Sequence, residues 1–229
     1  MTAGDAPVIA LDGPSGAGKG TISLILARTL GFHYLDSGAL YRSLAVAAAR
    51  HQVAGDNMEA LAVLAAHMDV AFAMADQGAE PRVILEGEDV TTQVRAEETG
   101  VQASRIAALP EVRAALLRRQ RAFARPPGLV ADGRDMGTVV FPDAALKVFL
   151  TASPEERARR RHNQLMGKGV AATLAELIEI VNERDERDRN RPVAPLRPAQ
   201  GAMILDSTGR TIDDVVATIL AAAKQRLER

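Results

Sequence analysis

The chain of 229 residues contains no cysteine and no tryptophan, and its aromatic residues amount to two tyrosines and five phenylalanines. Without cysteine there is neither a disulfide framework nor a thiolate-ligated metal, and a reducing compartment is permitted. So few aromatics argue against binding single-stranded nucleic acid by base stacking. A formal net charge of −1 implies no general attraction to nucleic acid or to a membrane surface. No apolar run approaches the roughly 20 residues of a membrane span. The N-terminal MTAGDAP lacks the basic-then-apolar pattern of a secretory signal, so a cytoplasmic protein is expected. What the chain has is 47% hydrophobic residues and abundant alanine, enough to bury the core of one domain, or of a domain with an insertion.

Residues Gly13 to Thr21 read GPSGAGKGT, directly after the apolar run Val8-Ile9-Ala10-Leu11. The run suits a buried strand, and Ile22 to Leu30 reads as a helix. Strand, glycine-rich turn and helix are the setting of a phosphate-binding loop. There, backbone N–H groups between Gly13 and Gly18 point at phosphate oxygens. The helix N-terminus adds partial positive charge, and Lys19 reaches the outer phosphates. Gly20 stands where most such loops carry Ser or Thr, and Thr21 follows one residue later. GKGT is the form seen in many nucleoside-monophosphate kinases.

Candidate core strands are Val8–Leu11, Phe32–Leu35, Leu129–Ala131, Lys147–Leu150 and Met203–Leu205, with helical stretches between them. This alternation predicts an α/β fold with a mostly parallel sheet. It breaks between about Val70 and Thr92, where Val70–Met74 and Arg82–Leu85 read as short strands around Asp76, Gly78 and Pro81. A small antiparallel insertion is expected there. Ser153-Pro154-Glu155-Glu156 opens a helix, Pro110 opens another that runs through LLRRQRAF, and Leu174–Asn190 is a third. Ile212–Leu227 carries an apolar stripe.

Other segments offer chemistry. The strand Leu129-Val130-Ala131 ends in Asp132-Gly133-Arg134-Asp135. In phosphate-loop enzymes the neighbouring strand commonly ends in an Asp that holds Mg²⁺ directly or through water, and Asp132 fits. Arg134 and Asp135 project from the C-terminal edge of the sheet, where open α/β folds bind ligands. Asp36 or Ser37 can cap a helix whose Arg42 is a candidate phosphate ligand. In the run Glu183–Arg191, Arg184, Asp188 and Arg191 share a helical stripe that reads either as a solvated face or as a phosphate-and-sugar clamp. Arg157, Arg159, Arg160 and Arg161, followed by Gly167-Lys168-Gly169, suggest a mobile cover, without saying which arginine turns inward.

Taken together, DGPSGAGKGT (Asp12–Thr21), LDSGALYR (Leu35–Arg42), LRRQRAF (Leu117–Phe123), ADGRDMGTVVFP (Ala131–Pro142) and ERDERDRNRPVAPL (Glu183–Leu196) resemble the successive blocks of the bacterial-type cytidylate kinases. The resemblance runs from about Pro7 to the C-terminal helix. It implies a P-loop kinase of three-layer α/β fold around a central five-stranded parallel sheet. It also implies a monophosphate-binding region over residues 36–128 with a three-stranded insertion near 68–95, and a lid over 155–170. The implied reaction moves the γ-phosphoryl group of ATP to CMP or dCMP with Mg²⁺. Gly13, Pro14, Ser15, Gly16, Ala17, Gly18, Lys19, Gly20 and Thr21 would wrap the ATP phosphates, with Arg157 and Arg161 closing from the lid. Thr21 and Asp132 would serve the metal. Arg42, Arg134 and Arg191 would surround the CMP phosphate, and Ser37 would also bind this substrate. Ser104, Arg113 and Asp135 would read cytosine, and Arg184 and Asp188 would contact the sugar. Lys19, Arg134 and Arg191 would carry the catalysis. The resemblance further implies a monomer.

The CMP phosphate is already a nucleophile at neutral pH, so the lack of a poised His or Cys is no objection. Two rivals are a kinase of another pyrimidine monophosphate and a nucleotide-dependent switch. The second basic cluster and the absence of an NKxD-type segment weigh against the switch.

Overall fold

The structure, a computed structural model, describes residues 6–73, 81–167 and 169–228. Strand β1 (Val8–Asp12) leads through the glycine loop into α1 (Lys19–Leu30). There follow β2 (His33–Asp36), α2 (Ser37–Arg50), α3 (Met58–His67), β3 (Val70–Ala73), β4 (Arg82–Leu85), β5 (Glu88–Asp89), α4 (Thr91–Val94), α5 (Glu97–Ile106) and α6 (Pro110–Arg121). Then come β6 (Leu129–Gly133), a π-helical turn (Met136–Val140), β7 (Leu146–Thr151), α7 (Pro154–Met166), α8 (Leu174–Arg189), β8 (Met203–Asp206) and α9 (Ile212–Leu227). Met74, Asp76, Gly78 and Lys168, which entered the sequence reading, lie outside the described residues. None of the described helices is long and apolar enough to cross a membrane.

Two compact units emerge. The first, the sheet unit, uses the chain up to Leu35 and from Phe123 onward; the second, the inserted unit, is Asp36–Ala122. The sheet unit holds a five-stranded parallel sheet in the order β2-β6-β1-β7-β8. Its central strands β1 and β6 are buried at every residue, which is why both read as continuous apolar runs rather than alternating ones. Ile9, Leu11, Val130, Val148 and Leu150 form one core with Ile22 and Leu26 of α1 and Val215 and Ile219 of α9. Burying each such side chain stabilises the fold by about 1.5–3 kcal/mol. The inserted unit has its own core, in which Leu40, Leu44 and Ala47 of α2 meet Leu61, Leu85, Val112 and Leu116. The antiparallel insertion has three strands, β3-β4-β5, the last only two residues long.

Local signals act as expected at several helix ends. Ser153 accepts the Glu156 N–H at 3.2 Å, with Pro154 at the first helical position. Asp36, not Ser37, caps α2 by accepting from Ala39 N at 2.9 Å. Helix α1 begins three residues before Ile22, so Lys19 lies in its first turn. Helix α6 stops at Arg121 and α8 at Arg189, one residue before the expected end at Asn190, so Arg191 lies just beyond the helix that carries Arg184 and Asp188.

The glycine loop is fixed by contact as well as by conformation. Gly13 has φ +149°, and a methyl group built on it would stand 1.9 Å from the Leu150 carbonyl oxygen of β7. At Gly20 a methyl group would meet only Asp132 Oδ2 at 3.5 Å and the Tyr34 hydroxyl at 3.8 Å, both ordinary contacts. Gly13→Ala should therefore cost at least about 3 kcal/mol in urea denaturation, because a backbone carbonyl cannot swing aside. Gly20→Ala should fall within about 1 kcal/mol of the parent, since it gains helix propensity. Equal losses at both positions would contradict this account.

Candidate active site

The loop lies at the C-terminal end of β1, the middle strand, and Asp132 stands beside it because Leu11 is in register with Asp132. Lys19 is buried; its Nζ donates to the Pro14 carbonyl at 2.9 Å and lies 3.9 Å from Asp132 Oδ1. Burial, helped by the nearby Arg134 charge, lowers the Lys19 ammonium to about 8 against the opposing pull of Asp132 and Asp12. The outer face of the loop is also engaged. Arg157 donates to the Ser15 carbonyl at 3.1 Å, and Arg160 donates to the Ala17 carbonyl at 3.3 Å. Ser207, just past β8, donates to the same Ala17 carbonyl at 3.2 Å.

A second cluster forms at the ends of β6 and α8. Asp188 accepts Arg134 Nε on Oδ2 at 2.8 Å and Arg191 on Oδ1 at 3.1 Å. Burial works to raise the Asp188 carboxyl, but the charges of Arg134, Arg191 and Arg184 outweigh it and hold the group below its ordinary range. Arg134 is likewise pressed down by burial, yet Asp188 keeps it above its usual value. Arg184 acts on both Lys19 and Asp188 through its charge, which places it near both. Asp135 is buried at the start of the π-helical turn. The sheet unit thus gathers Lys19, Asp132, Arg134, Arg184, Asp188 and Arg191. In the inserted unit, Ser37 and Arg42 lie on α2, Ser104 on α5 and Arg113 on α6; Ser37, Ser104 and Arg113 are buried. The Arg113 guanidinium lies 6.0 Å over the Tyr41 ring and donates to the Ala107 carbonyl.

The arginines of α7 are each engaged within the chain. Arg157, expected at ATP, is 2% exposed and makes a two-pronged ion pair with Asp185 at 2.9 and 2.5 Å. It also donates to the Ala152 carbonyl. Arg161 donates to Gln164, and Arg160 is the neighbour that reaches the loop. Thr21 is exposed on the first turn of α1. The histidines His33 and His51 bond the Pro126 carbonyl and Glu86.

Sequence reading passed over Asp12. Its two carboxylate oxygens accept the N–H groups of Met136 at 2.7 Å and Gly137 at 2.8 Å, tying the phosphate-loop strand to the turn after Arg134 and Asp135. The signal was present: Asp12 ends an apolar strand as Asp132 does. Asp185 pairs with Arg189 on its own helix at 3.3 Å, and its buried partner is Arg157.

Comparison with known sequences bears on this geometry. The sequence model described as cytidylate kinase matches residues 9–225. The chain belongs to the cytidylate kinase family. A cytidylate kinase of Pseudomonas aeruginosa (strain LESB58) is 62% identical over 217 residues, covering 95% of each chain. Those of Edwardsiella ictaluri (62% over 221 residues; 96% of this chain and 97% of the relative) and Photobacterium profundum (59% over 224 residues; 98% and 97%) are similarly close. The chain is accordingly a phosphotransferase that moves a phosphoryl group from ATP to CMP or dCMP.

Burial pushes the Asp12 carboxyl from 3.8 up to about 6; the two N–H groups oppose the rise, and the Asp135 charge adds to it. Because folding raises this value, the group favours the folded state below about pH 4, and that contribution, about 3 kcal/mol, is lost as pH climbs through about 6. Urea denaturation between about pH 7.5 and pH 4 should show the parent gaining up to that amount relative to Asp12→Asn. Parallel stability curves would remove this account of Asp12.

Proposed function

We propose that Lys19 and the loop amides of Gly13–Gly18 grip the ATP phosphates, while Arg134 and Arg191 neutralise the phosphate that attacks. The observation that carries this reading is the burial of the Lys19 ammonium at the end of the glycine loop, on the Pro14 carbonyl and 3.9 Å from Asp132, with the Arg134 charge nearby. Such an arrangement favours an anion between the cations. In-line positioning and charge stabilisation are what phosphoryl transfer requires, and no side-chain base is needed.

Roles for the remaining residues follow. Gly20 and Thr21 continue the ATP site into α1. Ser37 and Arg42 serve the acceptor phosphate, and Arg184 and Asp188 serve the sugar. Asp135 accepts from the cytosine N4 amino group, while Ser104 and Arg113 serve N3 and O2. Uracil reverses the pattern at N3 and position 4, so UMP is disfavoured. Arg157 acts on the loop through Ser15 and Asp185, and Arg161 stays with the lid.

Asp132 and Thr21 would hold Mg²⁺. No group of three or more acidic, His or Cys ligands occurs among the described residues. That suits Mg²⁺, which keeps waters and phosphate oxygens and takes one or two protein oxygens. Asp132 Oδ2 faces the first turn of α1, 3.5 Å from where a Gly20 methyl would stand, and the Thr21 hydroxyl is one residue further. When bound, the ion supplies charge neutralisation at the β- and γ-phosphates. A cytoplasmic monomer completes the proposal.

Two measurements test this reading. In a coupled assay of ADP release with CMP, dCMP, UMP, dUMP and AMP, the two cytidylates should dominate. Asp135→Ala should raise KM for CMP by about 100-fold, the scale of a lost base-reading hydrogen bond to a charged group, with KM for ATP near the parent value. Equal effects on both substrates would take Asp135 out of base reading. Separately, because Lys19 sits at about 8 in the free protein, the triphosphate should draw a proton onto it. Calorimetry of MgATP binding at pH 8, in buffers of different ionisation enthalpy, should give uptake of about half a proton. The always-charged Lys19→Arg should abolish that uptake, and uptake persisting in it would assign the proton elsewhere.

A further inference from the structure

The three-stranded insertion lies within the inserted unit, and none of its residues has been assigned a part in the chemistry. A chain of hydrogen bonds nevertheless runs from it to Arg42. Strand β4 presents Val83 N–H to the Thr91 hydroxyl oxygen at 2.9 Å. That hydroxyl donates in turn to Asp89 Oδ1 at 2.5 Å, and Thr91 N–H reaches the same oxygen at 2.9 Å. Thr91 is the first residue of α4, a helix of a single turn. The Val94 carbonyl, at the other end of that turn, accepts Arg42 Nη1 at 3.2 Å. The last carbonyls of a helix have no partner inside it, so this one is available to a guanidinium.

Two backbone-directed links flank the Thr91 contact. Val90 N–H bonds the Val83 carbonyl at 2.9 Å, and Arg95 donates to the Pro81 carbonyl at 2.8 Å. Val83, Val90 and Val94 are nearly fully buried in the same core as Tyr41 and Leu44 of α2. A four-residue helix has no stability of its own, because one turn is too short to repay its nucleation. Its place is therefore dictated by what it is docked on: β4 through these hydrogen bonds, and α2 through the shared core. A long side chain such as Arg42 has many rotamers, and fixing one of them needs a partner that is itself fixed.

We propose that the insertion is a positioning device for the acceptor-phosphate arginine, with Thr91 as the residue that locks α4 to β4 so that the Val94 carbonyl holds Arg42 in place. This rests on the reading of Arg42 as a ligand of the acceptor phosphate. The insertion then acts on affinity for the monophosphate, not on the grip on ATP. Thr91 touches neither substrate nor reacting atoms.

The test is a double-mutant cycle on the full chain. Arg42→Ala should raise KM for CMP while leaving KM for ATP near the parent value. Thr91→Val keeps the side-chain shape and removes the hydroxyl; it should raise KM for CMP by about tenfold, the effect of one misplaced hydrogen bond. Thr91→Ser, which restores the hydroxyl, should recover the parent value. In the Arg42→Ala background, Thr91→Val should add little, since both act through one contact. If Thr91→Val has no effect where Arg42→Ala does, the positioning role falls and the reading of Arg42 stands. If Arg42→Ala leaves KM for CMP unchanged, both fall. Additive effects, or a rise in KM for ATP as large as for CMP, would mark Thr91 as merely structural and overturn the proposal. Thr91→Ala is the second variant should Thr91→Val fold poorly by circular dichroism.

Discussion

A glycine loop without its own ladder leaves backbone carbonyls that need donors. The whole sheet unit is arranged around meeting that demand. Lys19 serves Pro14, Arg157 serves Ser15, and Arg160 with Ser207 serves Ala17. These donors come from α1, α7 and the end of β8, so three elements distant in sequence converge on six residues of backbone. Each is secured in turn. Arg157 is locked by the buried Asp185 carboxylate, and Arg160 is braced by Glu156 and Ser207. A buried ion pair of this kind adds little net stability over an apolar pair, but losing one partner strands a charge at a cost of about 3–5 kcal/mol. Its value here is geometric, because it fixes the loop without occupying the inner face.

Charge pairing sets the second level of order. Asp188 bridges Arg134 and Arg191, and so joins the end of β6 to the segment after α8. Asp12 does the same through backbone N–H groups, joining the end of β1 to the turn after Asp135. The phosphate loop and the two residues after Gly133 are therefore held to a common frame. A donor nucleotide and an acceptor phosphate are useful to one another only when their separation is controlled to a fraction of an ångström.

The motifs that could be read from sequence were those whose chemistry is local. GPSGAGKGT announces itself because its glycines, lysine and flanking elements fall in one stretch of chain. The strand ends at Asp132 and the caps at Ser153 and Asp36 are local too. The role of Arg157 was not legible, because its partner Asp185 is 28 residues away and looks like one more charge on an ionised helix. Asp12 was hidden by its neighbours: the loop drew attention one residue too late. Arg191 was assigned to a helical stripe that ends at Arg189, yet it still reaches Asp188 because the chain folds back after the helix. The one-turn helix at Thr91–Val94 and the two-residue strand at Glu88–Asp89 are too short to carry a periodic signal. They exist only because β4 and the core around Val83 define them.

The strand order has a bearing on how the chain acquires its shape during synthesis. β1 and β2 are made first, yet they are not neighbours; β6 lies between them. The residues separating β2 from β6 form a unit with its own core. At ordinary rates of translation, β1 waits on the order of ten seconds for its partner β6 to be made. During that interval Val8–Leu11 is an apolar strand with neither edge paired, the kind of segment that recruits chaperones or other copies of itself. The inserted unit can settle while the sheet is still incomplete, so the two halves of the molecule are born in the reverse of the order in which their first residues appear.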